Sequence, residues 1–206
     1  MLSVEDYRDR VLAGISRLSA IELPLTAVEG CVLAENVAAS VSLPSFDNSS
    51  MDGYAVLASD LASASTASPI DLRVIDDVPA GGVSRATVTR GTAVRIMTGA
   101  AMPDGADAVI PVELTDAGTT FVQIIGSVSP GAYIRRTGED VRSGAMVLPA
   151  GTLIEARQIA LLAACGHGTV RVYPQPRIAV IATGSELVEP GEPLEPGKIH
   201  DANSFM

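Results

Sequence analysis

Apolar residues near the start of the chain recur at intervals of three and four. Val4, Tyr7, Val11, Ile15 and Leu18 form one stripe, which predicts a helix from Ser3 to about Leu18, with Ser3 and Asp6 in a capping arrangement. Thr26 and Glu29 repeat that pattern and predict a shorter helical segment reaching about Glu35. Asn36–Leu43 alternates loosely and reads as a strand. From Leu57 to Ile134 the period shifts toward two. Ile70–Val78, Thr92–Met97, Ala106–Val112 and Phe121–Ile125 are predicted strands, divided by Gly, Pro, Asp and Ser. Between Leu57 and the first of them, Ala62–Ser68 is small and polar, and predicts a mobile loop. A second amphipathic helix is predicted over Ile154–Cys165, with Ile159, Leu162 and Ala163 on one side and Gly166 as its stop. Ile178–Ala182 is a continuous apolar run, the pattern of a parallel strand buried on both faces. Asp201–Ser204 is suited to capping a following helix.

Between these elements lies Pro44-Ser45-Phe46-Asp47-Asn48-Ser49-Ser50-Met51-Asp52-Gly53-Tyr54-Ala55-Val56. Its short polar side chains favour turns, because they bond nearby backbone. Phe46, Met51 and Tyr54 are apolar anchors among them. The mixture suits a rigid polar loop held against a core, one that contacts an anion or a metal.

Composition narrows the classes. Of 206 residues, 47% are hydrophobic and only 3% aromatic, so the core is built from Ala, Val, Leu and Ile. Nineteen Gly and thirteen Pro mean many short elements. A net charge of −10 argues against nucleic acid or an anionic membrane as a partner. Cys31 and Cys165 stand far apart without a CxxC spacing, which suits reduced thiols and a cytoplasmic location. No apolar run reaches the roughly 18 residues of a membrane span. The acidic start, with Glu5, Asp6 and Asp9, does not read as a signal peptide.

Four stretches together carry a resemblance. Ser49-Ser50-Met51-Asp52-Gly53-Tyr54-Ala55 resembles the signature loop of the molybdopterin molybdenumtransferase family, the MoeA family, which includes the E domain of gephyrin. Arg95–Ala100 with Gly105–Val109, Ile134–Asp140 and Pro176–Leu187 match in the family's order. The resemblance implies a mixed α/β and β multidomain protein. Residues 1–43 plus 135–173 would form an N-terminal helical/β dimerisation domain. Residues 44–134 would be an inserted β-rich domain carrying the signature loop, and residues 174–206 the truncated start of a doubly wound α/β molybdopterin-binding domain. Family members are longer, so their pterin-binding loops and C-terminal β-domain lie beyond residue 206.

The implied reaction is insertion of molybdate into adenylylated molybdopterin, with hydrolysis of the phosphoanhydride and release of AMP. On their own, Asp52, Thr98 and Glu186 read as turn or helix-start residues, and Glu139-Asp140 as a solvated pair. By resemblance, Asp52, Thr98, Asp140 and Glu186 become catalytic candidates. Carboxylates repel molybdate, so Asp52, Asp140 and Glu186 make sense as Mg2+ ligands or as proton acceptors. Ser50, Thr98, Thr183 and Ser185 can donate to oxyanion oxygens. Gly53, Gly99 and Gly184 complete the binding set, the latter two by admitting close backbone N–H approach. Arg135 and Arg136, with Arg95, are the local sources of positive charge. Where many family members have Asp, this chain has Ser185, which removes one possible ligand. Implied partners are a second copy, in a homodimer, and the molybdopterin adenylyltransferase acting upstream. The competing reading is a dimerisation or scaffold module without turnover. A third takes only Pro176–Leu187, which also resembles the molybdopterin-binding fold of unrelated proteins; the signature loop lies outside that fold.

Overall fold

The computed structural model describes residues 2–205 and is rich in short strands, with two α-helices. Helix α1 covers Val4–Ala13, and Ser3 Oγ accepts the Asp6 N–H at 3.1 Å. It ends at Gly14, short of the predicted Leu18. No residue of α1 is buried, and Val4, Tyr7, Val11 and Leu12 all face solvent. Strand β1 (Ile21–Pro24) leads to a single 3-10 turn at Leu25–Ala27. The helix predicted from Thr26 to Glu35 is absent. Gly30, at φ +74°, reverses the chain, and β2 (Val32–Leu33) follows at once. The expected strand over Asn36–Leu43 shrinks to β3 (Val37–Ala38) and an isolated bridge from Leu43 to Val141.

Next come β4 (Asn48–Ser49), β5 (Gly53–Val56), β6 (Ile70–Val78), β7 (Thr92–Ile96), β8 (Ala108–Pro111) and β9 (Phe121–Ile124). All but β4 join one sheet in the order β8-β5-β7-β6-β9, with β6 and β7 parallel and the other pairs antiparallel. The period-two prediction thus holds for each of its four strands. Alternation sends Tyr54, Val56, Leu72, Ile110, Val122 and Ile124 into one core and Ala55, Val94, Ile96 and Val109 into another. Strand β5, between β8 and β7, is consequently buried on both faces. Within Ala62–Ser68, Ser65 and Ser68 exchange backbone hydrogen bonds, and Ala64 packs into the first core.

Beyond the sheet lie β10 (Ile134–Arg135), β11 (Met146–Leu148), α2 (Ala156–Ala164) and β12 (Thr169–Tyr173). β12 pairs with β1 and β2, and β11 with β3. A third core gathers Val28, Leu33, Val37, Ile154, Leu162, Val170 and Val172. Helix α2 matches its prediction. Glu155 and Gln158 form the capping box at its start. At its end, Gly166 at φ +89° donates to Ala163 and His167 donates to Leu162, which is the Schellman arrangement.

Residues 174–186 contain no strand, which corrects the reading of Ile178–Ala182. Ile178 and Ile181 are 79% and 82% exposed. A parallel strand buried on both faces needs neighbours at its edges and cover on its faces, and the described residues provide neither. β13 (Leu187–Val188) and β14 (Ile199–His200) form a small parallel pair, and Asp201 caps only a 3-10 turn at Asn203–Phe205. Between residues 174 and 205 the described chain thus forms only this strand pair and the 3-10 turn. Among the described residues no helix is long and apolar enough to cross a membrane.

Candidate functional site

The signature loop is threaded through two other segments. Asn48–Ser49 pairs on one edge with β10, placing Ile134 opposite Ser49 and Arg135 opposite Asn48. On the other edge Asn48 bridges Ala101, Ser49 N–H donates to Ala100 O at 3.1 Å, and Gly99 N–H donates to Ser49 O at 2.8 Å. These two polar residues are almost fully buried, Ser49 at 1% exposure. Three of the four sequence stretches singled out above therefore meet around one pair of residues.

Two aspartates of the loop make the same clasp. Asp52 Oδ1 accepts the Thr98 N–H at 2.7 Å and the Thr98 hydroxyl at 2.8 Å. Asp47 Oδ1 accepts the Thr137 N–H at 2.8 Å and its hydroxyl at 2.9 Å, while Oδ2 meets Arg136 Nη1 at 2.7 Å. Each threonine precedes a glycine with positive φ, Gly99 at +80° and Gly138 at +72°, so each clasp pins a tight turn. The Thr98 N–H, then its hydroxyl, holds the Asp52 carboxyl below the ordinary range. Asp47 is lowered by the Thr137 N–H, then by Arg136.

Asp140 lies on the β10 side. Arg135 Nη2 contacts its Oδ2 at 2.5 Å, and Arg135 Nε contacts Glu139 Oε1 at 2.6 Å. Glu139 also accepts the Arg136 N–H at 2.8 Å, and Arg135 first, then that N–H, lowers its carboxyl. Asp140 thus follows the β10 edge of Asn48–Ser49, whereas the Asp52 carboxylate is held by Thr98, which adjoins the opposite edge. Beside Asp140, a cleft of about 470 Å³ is lined by Gly138, Arg142, Met146 and Leu161.

Several expected roles change. Thr98 has one hydroxyl proton and gives it to Asp52, so it is not free to donate to an oxyanion. Gly99 spends its N–H on Ser49, Ser50 on Tyr133 and Gly138 on Pro44. These three N–H groups are closed onto backbone carbonyls and are not available to an anion. Arg95, Arg135 and Arg136 are each paired with a carboxylate, Arg95 with Asp77 at 3.2 Å, so their charge is locally offset. Gly53 serves through close approach instead of φ: a Cβ there would lie 2.0 Å from Ile110 O.

The fourth stretch stands apart. Thr183, Gly184, Ser185 and Glu186 are exposed, and among the described residues no hydrogen bond or ion pair ties 176–205 to the loop. Glu186 curls its carboxylate over Gly184, and its carbonyl accepts the Ile199 N–H at 2.8 Å. Lys198, the single lysine of the chain, donates to Ser185 O at 2.6 Å. Among the described residues no three His, Cys, Asp or Glu side chains gather closely enough to hold a metal, so Asp52, Asp140 and Glu186 do not fit a shared Mg2+ here. Sequence reasoning missed Asp47 and Thr137. The available signal was the repeated Thr-Gly, at 98–99 and 137–138, facing two aspartates of one loop.

Residues 2–166 match the family described as the MoeA N-terminal region (domain I and II). Molybdopterin molybdenumtransferase 2 of Mycobacterium tuberculosis is 47% identical over 207 residues, covering 100% of this chain and 51% of the relative. The molybdopterin molybdenumtransferase of Bacillus subtilis is 44% identical, covering 84% of this chain and 41% of its own length. A crystal structure of the molybdopterin biosynthesis MoeA protein from Pyrococcus horikoshii OT3 superposes with a TM-score of 0.79 at 39% identity, over 97% of this chain and 54% of that one. The chain spans about half the length of the curated relatives it matches.

Proposed function

The chain belongs to the MoeA N-terminal family, and from that premise we propose that it supplies the N-terminal part of a molybdenum-inserting transferase of molybdenum cofactor biosynthesis. The substrates are molybdate and adenylylated molybdopterin, and AMP is released when the phosphoanhydride is hydrolysed. The observation that carries this reading is the clasped loop. Three separated stretches are locked together by internal hydrogen bonds, and the loop holds Asp52 with only one oxygen engaged by Thr98.

Asp52 acts here as a fixed charge and hydrogen-bond acceptor. Its lowered carboxyl makes it a weak base, poorly matched to proton abstraction near neutral pH. It suits orienting a water or a substrate hydroxyl, with Thr98 setting the carboxylate's direction. Several backbone N–H groups of the loop are bonded internally and its arginines are each paired with a carboxylate, so further donors from outside this loop are called on to neutralise two anions. The site is therefore completed by the part of the enzyme that the relatives carry beyond this chain, or by a second copy. Asp52, Asp140 and Glu186 do not gather around one cation, and no step is assigned to Mg2+.

A chimera tests this reading. Residues 1–206 replace the matching half of the Mycobacterium tuberculosis relative, and AMP release is followed with adenylylated molybdopterin and molybdate. The chimera turns over, Asp52→Ala in it loses at least about a hundredfold in kcat, as expected for a group acting at the reacting atoms, and the 206-residue chain alone does not exceed buffer. A silent chimera that folds, or an undiminished Asp52→Ala, overturns the proposal.

One observation favours a second reading, a dimerisation or scaffold module without turnover. Helix α1 carries Val4 at 81% and Tyr7 at 62% exposure with nothing packed over them. The same chimera decides between the two, because a scaffold predicts assembly without AMP.

A further inference from the structure

We propose that Asp47 is a positioning residue of this site: its clasp on Arg136 and Thr137 fixes the turn that presents the Arg135–Glu139–Asp140 cluster, without itself touching substrate. The proposal deepens the functional reading above and rests on it for its significance, while its geometry stands alone.

The two clasps divide the work. Asp52 uses one oxygen on Thr98, whereas both oxygens of Asp47 are committed, Oδ1 to Thr137 and Oδ2 to Arg136. Asp47 also anchors the far edge, since its backbone O accepts the Met102 N–H at 3.0 Å. One residue therefore bonds both segments that flank Asn48–Ser49. On the β10 side the chain is held at three successive points. Gly138 N–H donates to Pro44 O at 2.9 Å, Asp140 N–H to Leu43 O at 3.0 Å, and Arg136 N–H to Glu139 at 2.8 Å. The Asp47 clasp lies among these points, next to Gly138 at φ +72°. Releasing Thr137 frees Gly138 to rotate, and with it the direction of Glu139 and Asp140. Arg135 makes no hydrogen bond to Asp47 or Thr137, so Asp47 acts on it indirectly, through Arg136 and Glu139, the Asn48–Arg135 pairing and the Gly138 turn.

That indirectness provides the test. The 206-residue chain is labelled with 15N, and three signals are followed: Thr98 N–H exchange, Thr137 N–H exchange and the Arg135 Nε–H resonance. Asp47→Ala accelerates Thr137 exchange by about tenfold or more, as for the loss of a charge-assisted hydrogen bond. It also broadens away the Arg135 Nε–H signal and leaves Thr98 within about twofold. Asp52→Ala does the reverse, speeding Thr98 while Arg135 stays. Asp47→Asn keeps an acceptor for Thr137 and loses the Arg136 pair, so it gives an intermediate Arg135 response in a chain that remains folded. The proposal is overturned if Asp47→Ala leaves the Arg135 signal intact, or if either alanine variant loosens both clasps equally. None of these signals depends on turnover. A silent chimera with the crossed pattern intact refutes the enzyme reading alone, and an active chimera without the pattern refutes the positioning role alone.

Discussion

Gly53→Ala tests whether the site is held by backbone packing. β5 runs between β7 and β8, with Gly53 opposite Ile96 on one side and Pro111 on the other. The added methyl would sit 2.0 Å from Ile110 O, 3.0 Å from Ile110 C and 3.1 Å from Pro111 Cα, all of them backbone atoms without a flexible end to swing aside. Relief requires the two strands to part by about 1 Å, which stretches a hydrogen bond beyond useful length. The nearest bond at risk is Val112 N–H to Asp52 O at 2.9 Å. Overpacking of this kind costs about 1–3 kcal/mol and a lost backbone bond about 1 kcal/mol. The reduced freedom of the unfolded chain returns about 0.4–1 kcal/mol. We expect a net loss of about 2–3 kcal/mol, or a Tm lower by about 4–12 °C for a chain of this size. Urea and thermal unfolding measure the loss, and amide exchange at Thr98 reports whether the Asp52 clasp moves with the strand. A stability within about 0.5 kcal/mol of the parent, or a destabilised variant with Thr98 exchange unchanged, refutes the reasoning.

Two further expectations follow from the same contacts. Asp47, Asp52 and Glu139 all have carboxyls lowered in the folded chain, so the stability they lend is complete above their ordinary values of 3.8 and 4.5 and is lost as pH falls through the lower folded values. Thr98 and Thr137 amide protection, compared at matched intrinsic rates, should therefore hold from neutral pH to about pH 5 and weaken toward about pH 3; protection that instead weakens on raising the pH contradicts the assignment. In the third core Leu162 is fully buried, and Leu162→Ala should cost about 2–5 kcal/mol in urea unfolding, with less than about 1 kcal/mol marking a core that collapses to fill the gap.

Four strands of the five-stranded sheet were legible as short runs of apolar and alternating residues between turn residues, whereas β5 lay hidden in the polar loop. Helix α2 was legible from its stripe and from Gly166, whose φ of +89° gives the stop a mechanism. By contrast, β4 and β10 are two-residue strands, and β4 is the polar pair Asn48–Ser49, so no hydrophobic period could reveal the pairing on which the site depends. The Thr26–Glu29 pattern imitated a capping box, but Pro24 before it and Gly30 after it leave room for one 3-10 turn only. Ile178–Ala182 was read from its apolar character alone, and apolarity cannot supply strands to pair with. Asp52 and Thr98, both singled out from the sequence, are hydrogen-bonded to each other. Asp47 was passed over because an Asp before Asn-Ser looks like any other turn residue, and its partner lies 90 positions away.

Helix α1 places none of its ten residues in a core. An isolated helix that short lies below the roughly 12–15 residues at which even favourable sequences hold together in water. Its cap at Ser3 and the acidic first turn slow the fraying without preventing it. The order of this segment is consequently borrowed: it should be the first part of the chain to lose helicity on warming and the first cut by a protease, while the clasped loop, tied at both edges, outlasts it.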